Sequence, residues 1–355
     1  MKSKFLMLAL LITTAACAQS PTAESVKLFA KLPYYCNTPD ALACNPVDNS
    51  LLLSVPNFND TSYPGMIMKV NNDGTSEMFF PGLAHPETNL SGPMGLEFGP
   101  DGNLYYCDNQ YFFDKNYKSR VVRINMQGGK PVSSEVVVDN IKLANAIRWN
   151  GDFMYFSDTF FDMGDPKKEG YGGIYRVSMD EIKKGVVSLI ADKNVDDPHL
   201  VAKSHCVPNS RGDNAGFDGM CFDSQGNLYS GNFGDGQFYK VSFKTPNGEV
   251  SEFKTISRAT DCIDGICYDK ARDVIYITNS VQNSVLIWDV KKNKMSKLWE
   301  NGDTDGADGL LDQPCEPLVI GDQVIISNFD HPFPGMKNSG YNKGVHTLSV
   351  INLKK

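Results

Sequence analysis

Carboxylate and amide side chains recur along the sequence at the starts of similar apolar runs. Five of six positions, spaced 46 to 73 residues apart, carry Asp, Glu or Asn, and one carries Met: Asp40, Met94, Asn145, Asp218, Asp264 and Glu316. Carboxylates that converge without basic partners have raised pKa values unless a cation neutralises them. Oxygen ligands without a repeated His or Cys favour Ca²⁺, with Mg²⁺, Mn²⁺ and Zn²⁺ as alternatives. If these positions meet in the fold, we expect one divalent metal ion there.

These positions lie in a repeated sequence unit. Each unit has a short apolar run, a tight polar turn, a second strand-like run and a Ser, Asn or Asp cluster, as in FDGMCFDSQGNLYSGN from Phe217. Two further runs rich in β-branched and aromatic residues follow most units. Four strands in about 50 residues are typical of one β-propeller blade. The six units therefore predict an all-β protein, a six-bladed β-propeller with four-stranded blades.

The last unit is one strand short. From Gln323 onward, the chain supplies only QVIISNF and VHTLSVINL after the unit's first strand. The segment SVKLFAKL near the amino terminus is the strand that would complete it. We therefore predict that the N- and C-terminal strands pair, which removes an open sheet edge that would invite aggregation. A pair of β-sandwiches is the alternative architecture, but it does not account for six similar units.

The loops predict which mouth of the channel carries the site. First strands line the channel, and the long insertions follow second strands or precede first strands, so all of them emerge beside the acidic positions. His85, His199, His205 and His331 fall in these loops, and we take His205 as the candidate general base. The alternative for each of the four is a histidine at the surface of its loop, without a catalytic role. The loops also contain aromatic residues, which would either form the apolar walls of a pocket or pack against one another within the loops: Tyr111, Phe112, Phe113, Phe160 and Phe161.

Two segments resemble the regucalcin/gluconolactonase family of the senescence-marker-protein type. FDGMCFDSQGNLYSGN is similar to the family's Asp-Gly-Met segment, and LANAIRWNGDFMYFSDT to its Asn-containing segment. The resemblance extends over nearly all of the chain after its N-terminal segment. It implies that Asp218 and Asn145 are metal ligands, and that Asp40 stands where the family has a Glu ligand.

Met94 departs from the family, which commonly has an Asn ligand or substrate contact in the second blade. Glu316, Asp264 or water would then complete the metal site. The resemblance implies hydrolysis of a small-molecule lactone or related ester, in which the metal polarises the carbonyl and Asp218, Asp264 or His205 activates water. The alternative function is a non-catalytic exported propeller that binds a sugar, peptide or protein through the acidic mouth.

The amino terminus is typical of an export signal, because two lysines precede a short apolar run and small residues follow. We predict a signal peptide at residues 1–18 and the propeller at residues 24–355. Cleavage after Ala18 would release a soluble periplasmic protein. Acylation of Cys17 would instead give a lipid-anchored protein of the outer membrane or cell surface. The apolar run is too short to remain as a transmembrane helix.

The charge balance argues against one class of partner. The chain has 34 basic and 42 acidic residues, a net charge of −8, and no basic stripe. We therefore expect neither nucleic acid nor an anionic membrane as a partner. Eight cysteines follow Cys17, and an exported location would permit disulfides, but spacing alone assigns no pairs.

Overall fold

The computed structural model describes residues 20–162, 170–190, 197–207, 211–258, 261–333, 335–337 and 340–354, with the backbone alone at residues 161 and 162. The predicted signal peptide and Cys17 lie outside these residues. Strands β1 to β25 form six sheets around a central channel. The predicted six-bladed β-propeller is therefore confirmed.

Each of the first three blades begins with its inner strand and runs outward, and β1 (Ala23–Lys31) precedes them. Blade 1 consists of β2 to β5: Leu42–Cys44, Leu51–Val55, Met66–Val70 and Ser76–Pro81. Blade 2 consists of β6 to β9: Pro93–Phe98, Leu104–Asp108, Ser119–Gln127 and Lys130–Ile141. Blade 3 starts with β10 to β12: Ala144–Asn150, Phe153–Asp162 and Gly170–Ser178. Helix α1 (Met179–Ile182) then leads to β13 (Val187–Ser188), which joins blade 2 parallel to β9, before β14 (Leu200–Cys206) completes blade 3.

The remaining blades follow the same order. Blade 4 consists of β15 to β18: Phe217–Phe222, Leu228–Asn232, Gln237–Phe243 and Val250–Arg258. Blade 5 consists of β19 to β22, with a 3-10 helix at Ser280–Gln282 after β20: Ile266–Asp269, Val274–Asn279, Ser284–Asp289 and Lys294–Glu300. Blade 6 takes three strands from the C-terminal part of the chain, β23 to β25: Pro314–Ile320, Gln323–Asn328 and Thr347–Leu353.

Strand β1 supplies the outermost strand of blade 6. It pairs antiparallel with β25, with Val26 opposite Ile351. The predicted closure by the two ends of the chain is therefore confirmed, and the open edge of β25 is covered.

The hydrophobic core lies between the faces of neighbouring blades. Tyr155 and Ile174 of blade 3, for example, pack with Phe217, Met220 and Tyr239 of blade 4. Burial of apolar surface stabilises these contacts by about 25 cal/mol per Å². The packed blades hold the inner strands in fixed positions around the channel.

Tight turns close the mouth opposite the predicted site. In the turn of blade 4, Gly226 has a φ of +78°, a conformation that favours glycine. Asp223 Oδ1 accepts the backbone N–H groups of Gln225 and Asn227. The eight cysteines of the described chain are free thiols. Among the described residues, we find no helix with the length and apolar character needed to span a membrane.

Candidate active site at one mouth of the channel

A cavity of about 440 Å³ opens at the mouth where the inner strands begin. Each blade contributes one buried residue to its floor: Asp40, Met94, Asn145, Asp218, Asp264 and Cys315. The structure thus brings together Asp40, Asn145, Asp218 and Asp264, four of the predicted site residues. Their roles as ligands or catalytic groups stay predictions.

Two glycines next to the carboxylates explain how the inner strands come so close. A Cβ atom on Gly219 would lie 2.4 Å from the carbonyl oxygen of Asp264, and one on Gly265 would lie 2.6 Å from that of Cys315. The backbone N–H of Gly219 instead donates to Asp264 at 3.0 Å, and that of Gly265 to Cys315 at 3.1 Å. The Asp-Gly sequence therefore sets the carboxylates of Asp218 and Asp264 side by side.

The sixth floor residue is Cys315, and not Glu316 as the repeated sequence unit predicts. Strand pairing in blades 4 and 6 makes Cys315 the equivalent of Asp218. Glu316 lines a second cavity at the opposite mouth, where its carboxylate forms an ion pair with Arg148. Because a shift of one residue along a strand redirects the side chain, the structure does not bring Glu316 together with the other predicted ligands.

Burial and like charges set the pKa values of the floor carboxylates. Burial raises the pKa of Asp218 well above its usual value, and the charges of Asp264 and Asp40 raise it further. Burial also raises the pKa of Asp40 well above its usual value and that of Asp264 to about 6. Carboxylates whose pKa values are raised in this way bind a proton or a cation more tightly than exposed carboxylates do.

Hydrogen bonds distinguish Asp218 from its neighbours. The Cys315 thiol lies 2.5 Å from Asp40 Oδ1 and 3.2 Å from Asp264 Oδ1. The Ser280 hydroxyl donates to Asp264 Oδ2 at 2.6 Å. Asp218, in contrast, accepts no hydrogen bond to its carboxylate from any described residue. Its oxygens are therefore available to a ligand in the cavity.

The donor chemistry of the floor fits a hard cation at Asp40, Asn145 and Asp218. Carboxylate and amide oxygens are the ligands that Ca²⁺ prefers. The Asn145 amide N–H donates to Thr159 Oγ1 at 3.3 Å, which leaves its oxygen for a ligand. Within the described chain, no three His, Cys, Asp or Glu side chains lie together in a group that could hold a metal ion. A cation here would therefore depend on Asn145 and on ligands beyond the described residues.

Aromatic side chains form walls above the floor. Tyr111, Phe112 and Phe160 line the cavity, as one of the two sequence hypotheses expects. Phe113 instead packs behind the wall against Phe58, with 5.4 Å between ring centroids. The side chain of Phe161 lies outside the described residues.

The predicted general base His205 lies away from the floor. It is in β14, the outermost strand of blade 3, and not in a loop as predicted. Its ring packs beside Tyr171, with centroids 5.3 Å apart. His205 is not among the residues that line the described cavity, so the structure does not bring it together with Asp218 and Asp264.

Asn109 is a cavity residue that the sequence analysis missed. It follows β7, and its Oδ1 accepts the backbone N–H of Tyr111 at 2.9 Å. Its Nδ2 is buried and has no hydrogen-bond partner among the described residues. Such an N–H group can stabilise a developing oxyanion. The signal that could have found it is the Ser, Asn or Asp cluster that ends the second strand of each unit.

The sequence model of one known family matches the chain. This family is described as the SMP-30/gluconolactonase/LRE-like region, and the match covers residues 86–263. The matched residues include Asn145 and Asp218 of the cavity floor. No curated protein matches the sequence significantly.

Several solved structures are similar to the whole propeller. A gluconolactonase from Xanthomonas campestris has 11% identity and a TM-score of 0.56, with 95% of this chain and 98% of that chain covered. Luciferin-regenerating enzyme has 12% identity and a TM-score of 0.60, with coverage of 94% and 95%. The PQQ-bound aldose sugar dehydrogenase of Streptomyces coelicolor has 14% identity and a TM-score of 0.56, with coverage of 94% and 100%. At these identities the likeness shows the fold alone, and the fold serves different chemistries.

Proposed function

The chain belongs to the SMP-30/gluconolactonase/LRE-like family, and from this premise we propose that it is a hydrolase that opens a lactone or related ester at the channel mouth. The observation that carries the proposal is the Asp218 carboxylate. It is buried at the cavity floor, and no described residue donates a hydrogen bond to it. Burial and the neighbouring carboxylates raise its pKa, which makes the ionised carboxylate a stronger base.

Residues of the cavity carry out the successive steps of hydrolysis. Asp218 accepts a proton from water as the water oxygen adds to the lactone carbonyl carbon. Asn109 Nδ2 donates to the oxyanion that forms. The ring C–O bond then breaks, and its oxygen leaves as a hydroxyl group. The protonated Asp218 returns its proton to this leaving oxygen, and Asp264, with a pKa of about 6, is the alternative base.

One divalent cation, with Ca²⁺ as the first candidate, would be held by Asp40, Asn145 and Asp218. A cation bound there supplies polarisation of the lactone carbonyl and stabilises the oxyanion. Asp218 has two carboxylate oxygens, so it would contribute to holding the cation and would also act as the base toward water. Asp40 keeps its hydrogen bond to Cys315 on one oxygen and offers the second to the cation.

The first test is elemental analysis of the purified protein together with a lactone-hydrolysis screen before and after chelation. We expect one bound divalent ion, turnover of at least one lactone, and loss of that turnover after chelation and in Asp218→Ala. Glu252→Ala is the control variant, because Glu252 is an exposed residue of the outer strand β18. It should keep the wild-type rate.

A second candidate is non-catalytic binding of a sugar, peptide or protein at the same mouth. Met94 and Cys315 favour it, because two of the six floor positions offer no oxygen ligand. A folded, metal-free protein that hydrolyses no lactone would support this alternative and reject the hydrolase. An export location remains the expectation from the N-terminal segment.

A further inference from the structure

The cavity has a large aromatic surface above its polar floor. Six rings line it: Tyr111, Phe112, Phe160, Phe233, Phe329 and Phe333. They belong to second strands, or to the segments that follow them, in blades 2, 3, 4 and 6. Aromatic residues from four separate blades therefore converge on one opening.

Five of these rings form a continuous wall. Phe160 contacts Tyr111 with 5.3 Å between centroids, and Tyr111 contacts Phe112 at 6.2 Å. Phe112 contacts Phe333 at 6.4 Å, and Phe333 contacts Phe233 at 6.1 Å. Aromatic pairs at these separations attract one another. The wall therefore extends from blade 3 to blade 4 by way of blades 2 and 6.

The central rings of the wall are held from behind. Phe58 stacks on Phe112 with 4.4 Å between centroids, and the His331 ring lies 4.3 Å from Phe333. His331 Nδ1 in turn lies 2.5 Å from Asn59 Oδ1. A wall fixed in this way loses little conformational freedom when a ligand binds.

Two polar side chains beside the wall, those of Arg211 and Gln313, are engaged with the protein. Arg211 donates to the carbonyl oxygens of Phe233 and Gly234, and Gln313 Oε1 accepts the backbone N–H of His331 at 2.5 Å. A sugar lactone has a hydroxyl group on most ring carbons, and each one loses its hydrogen bonds to water on burial. The wall offers such hydroxyl groups few replacements, whereas it can cover an apolar group.

On the basis of the hydrolase function proposed above, we propose that the preferred substrate is a lactone with an extended or flat apolar substituent, such as an alkyl chain or an aryl ring. The ester lies on the floor beside Asp218, and the substituent lies along the aromatic wall. The cavity volume of about 440 Å³ is in the range of sites that enclose small molecules. Polyhydroxylated sugar lactones are then poor substrates.

The test compares kcat/KM for a series of 6-alkyl-δ-valerolactones of increasing chain length with that for D-glucono-1,5-lactone. We expect kcat/KM to rise about two- to fourfold with each added methylene group that the wall covers. We expect kcat/KM for the sugar lactone to be at least about tenfold lower than for the longest alkyl lactone that fits, because several of its hydroxyl groups are buried without partners.

Two wall variants, Phe112→Ala and Phe333→Ala, should reduce the gain per methylene group. Phe253→Ala is the matched control, because Phe253 lies on the outer strand β18 and is 39% exposed, whereas Phe112 is 38% exposed. This control should keep the wild-type gain. Thermal melts of the variants show whether each one is folded.

Two results would overturn the assigned substrate class and leave the hydrolase function intact. One is faster turnover of the sugar lactone than of every alkyl lactone, and the other is a gain per methylene group that both wall variants retain. If no lactone is hydrolysed, the proposed function fails, and calorimetry with non-hydrolysed 6-alkyl-δ-valerolactams decides the role of the wall. Tighter binding with longer chains supports the apolar substituent, and absent or chain-independent binding overturns it.

Discussion

The two mouths of the channel are built from the same inner strands, yet their charged groups are arranged in opposite ways. At the candidate active site, the Asp218 carboxylate has no hydrogen-bond donor among the described residues. At the opposite mouth, Glu316 is paired with Arg148, which also donates to the carbonyl of Ile147 at 2.7 Å. The two cavities have volumes of about 440 and 420 Å³, so their size does not distinguish them.

The difference lies in what compensates the burial of charge. Burial raises the pKa of Glu316 to about 7, but the charge of Arg148 acts to lower it. The neighbouring charges that act most on Asp218 are all negative and raise its pKa further. A buried charge that the protein leaves unpaired is costly, and such groups cluster where a ligand supplies the partner. The comparison therefore assigns ligand chemistry to the first mouth and a structural role to the second.

Substitution of one carboxylate at each mouth tests this assignment most strongly. Asp218→Asn should lower lactone turnover by about 10²- to 10⁴-fold, the range for loss of a general base. Its melting temperature should not fall, because the change removes a buried charge without a described partner. Glu97→Gln is the matched variant at the other mouth, because Glu97 lines the second cavity, and it should keep turnover within about threefold of the wild type. Equal turnover in the two variants would remove the distinction between the mouths.

The second test removes the positive charge of Arg148 from the second mouth, which we call the structural mouth. Arg148→Met leaves the buried Glu316 and the half-buried Glu97 without their positive partner, and we expect the free energy of unfolding to fall by about 3–5 kcal/mol. Denaturant unfolding measures this loss. Adding Glu316→Gln to Arg148→Met should recover part of the stability, because one unpaired charge is then removed. A solvated surface ion pair contributes less than about 1 kcal/mol. A loss in that range would show that water screens the charges of Arg148 and its partners.

The fold could be predicted because its signals are local. Each blade repeats a tight turn between two strand-like runs within about 50 residues. In the turn of blade 4, Gly226 adopts the positive φ and Asp223 accepts the hydrogen bonds, so the turn needs no residue from outside it. The shortage of one strand in the last unit also predicted the pairing of β1 with β25.

The site could be predicted only in part, because its neighbours come from different blades. In blades 4 and 5, an Asp followed by Gly marks the floor position. Comparison of the repeated units therefore predicted Asp218 and Asp264 at the floor correctly. Blade 6 has no such glycine, and Glu316 offers a carboxylate one residue after the true floor residue Cys315. Its partner Arg148 is 168 residues away in the sequence. No local pattern could have paired them.

The smallest expected effect is the pH dependence of stability at the structural mouth. Glu97 accepts the backbone N–H of Trp149 at 2.9 Å, and burial raises its pKa from 4.5 to about 7, against the opposing charge of Arg148. The folded protein therefore binds this proton more tightly than the unfolded chain. The stabilising contribution is fully present below about pH 4.5 and is lost as the pH rises through about 7, with a slope of up to about 1.4 kcal/mol per pH unit.

Glu97→Gln should flatten this slope, because the glutamine cannot titrate. Urea unfolding of the wild type and the variant between about pH 5 and pH 8 measures the difference. Glu316 has its pKa raised in the same direction, so Glu97→Gln with Glu316→Gln should flatten the slope further than the single variant does. Asp264, with a pKa of about 6, keeps a residual slope in both variants. Wild-type and double-variant curves with the same slope would mean that Arg148 keeps both carboxylates ionised. In that case the pH dependence of stability would come from other groups, and the predicted titration of Glu97 and Glu316 would be rejected.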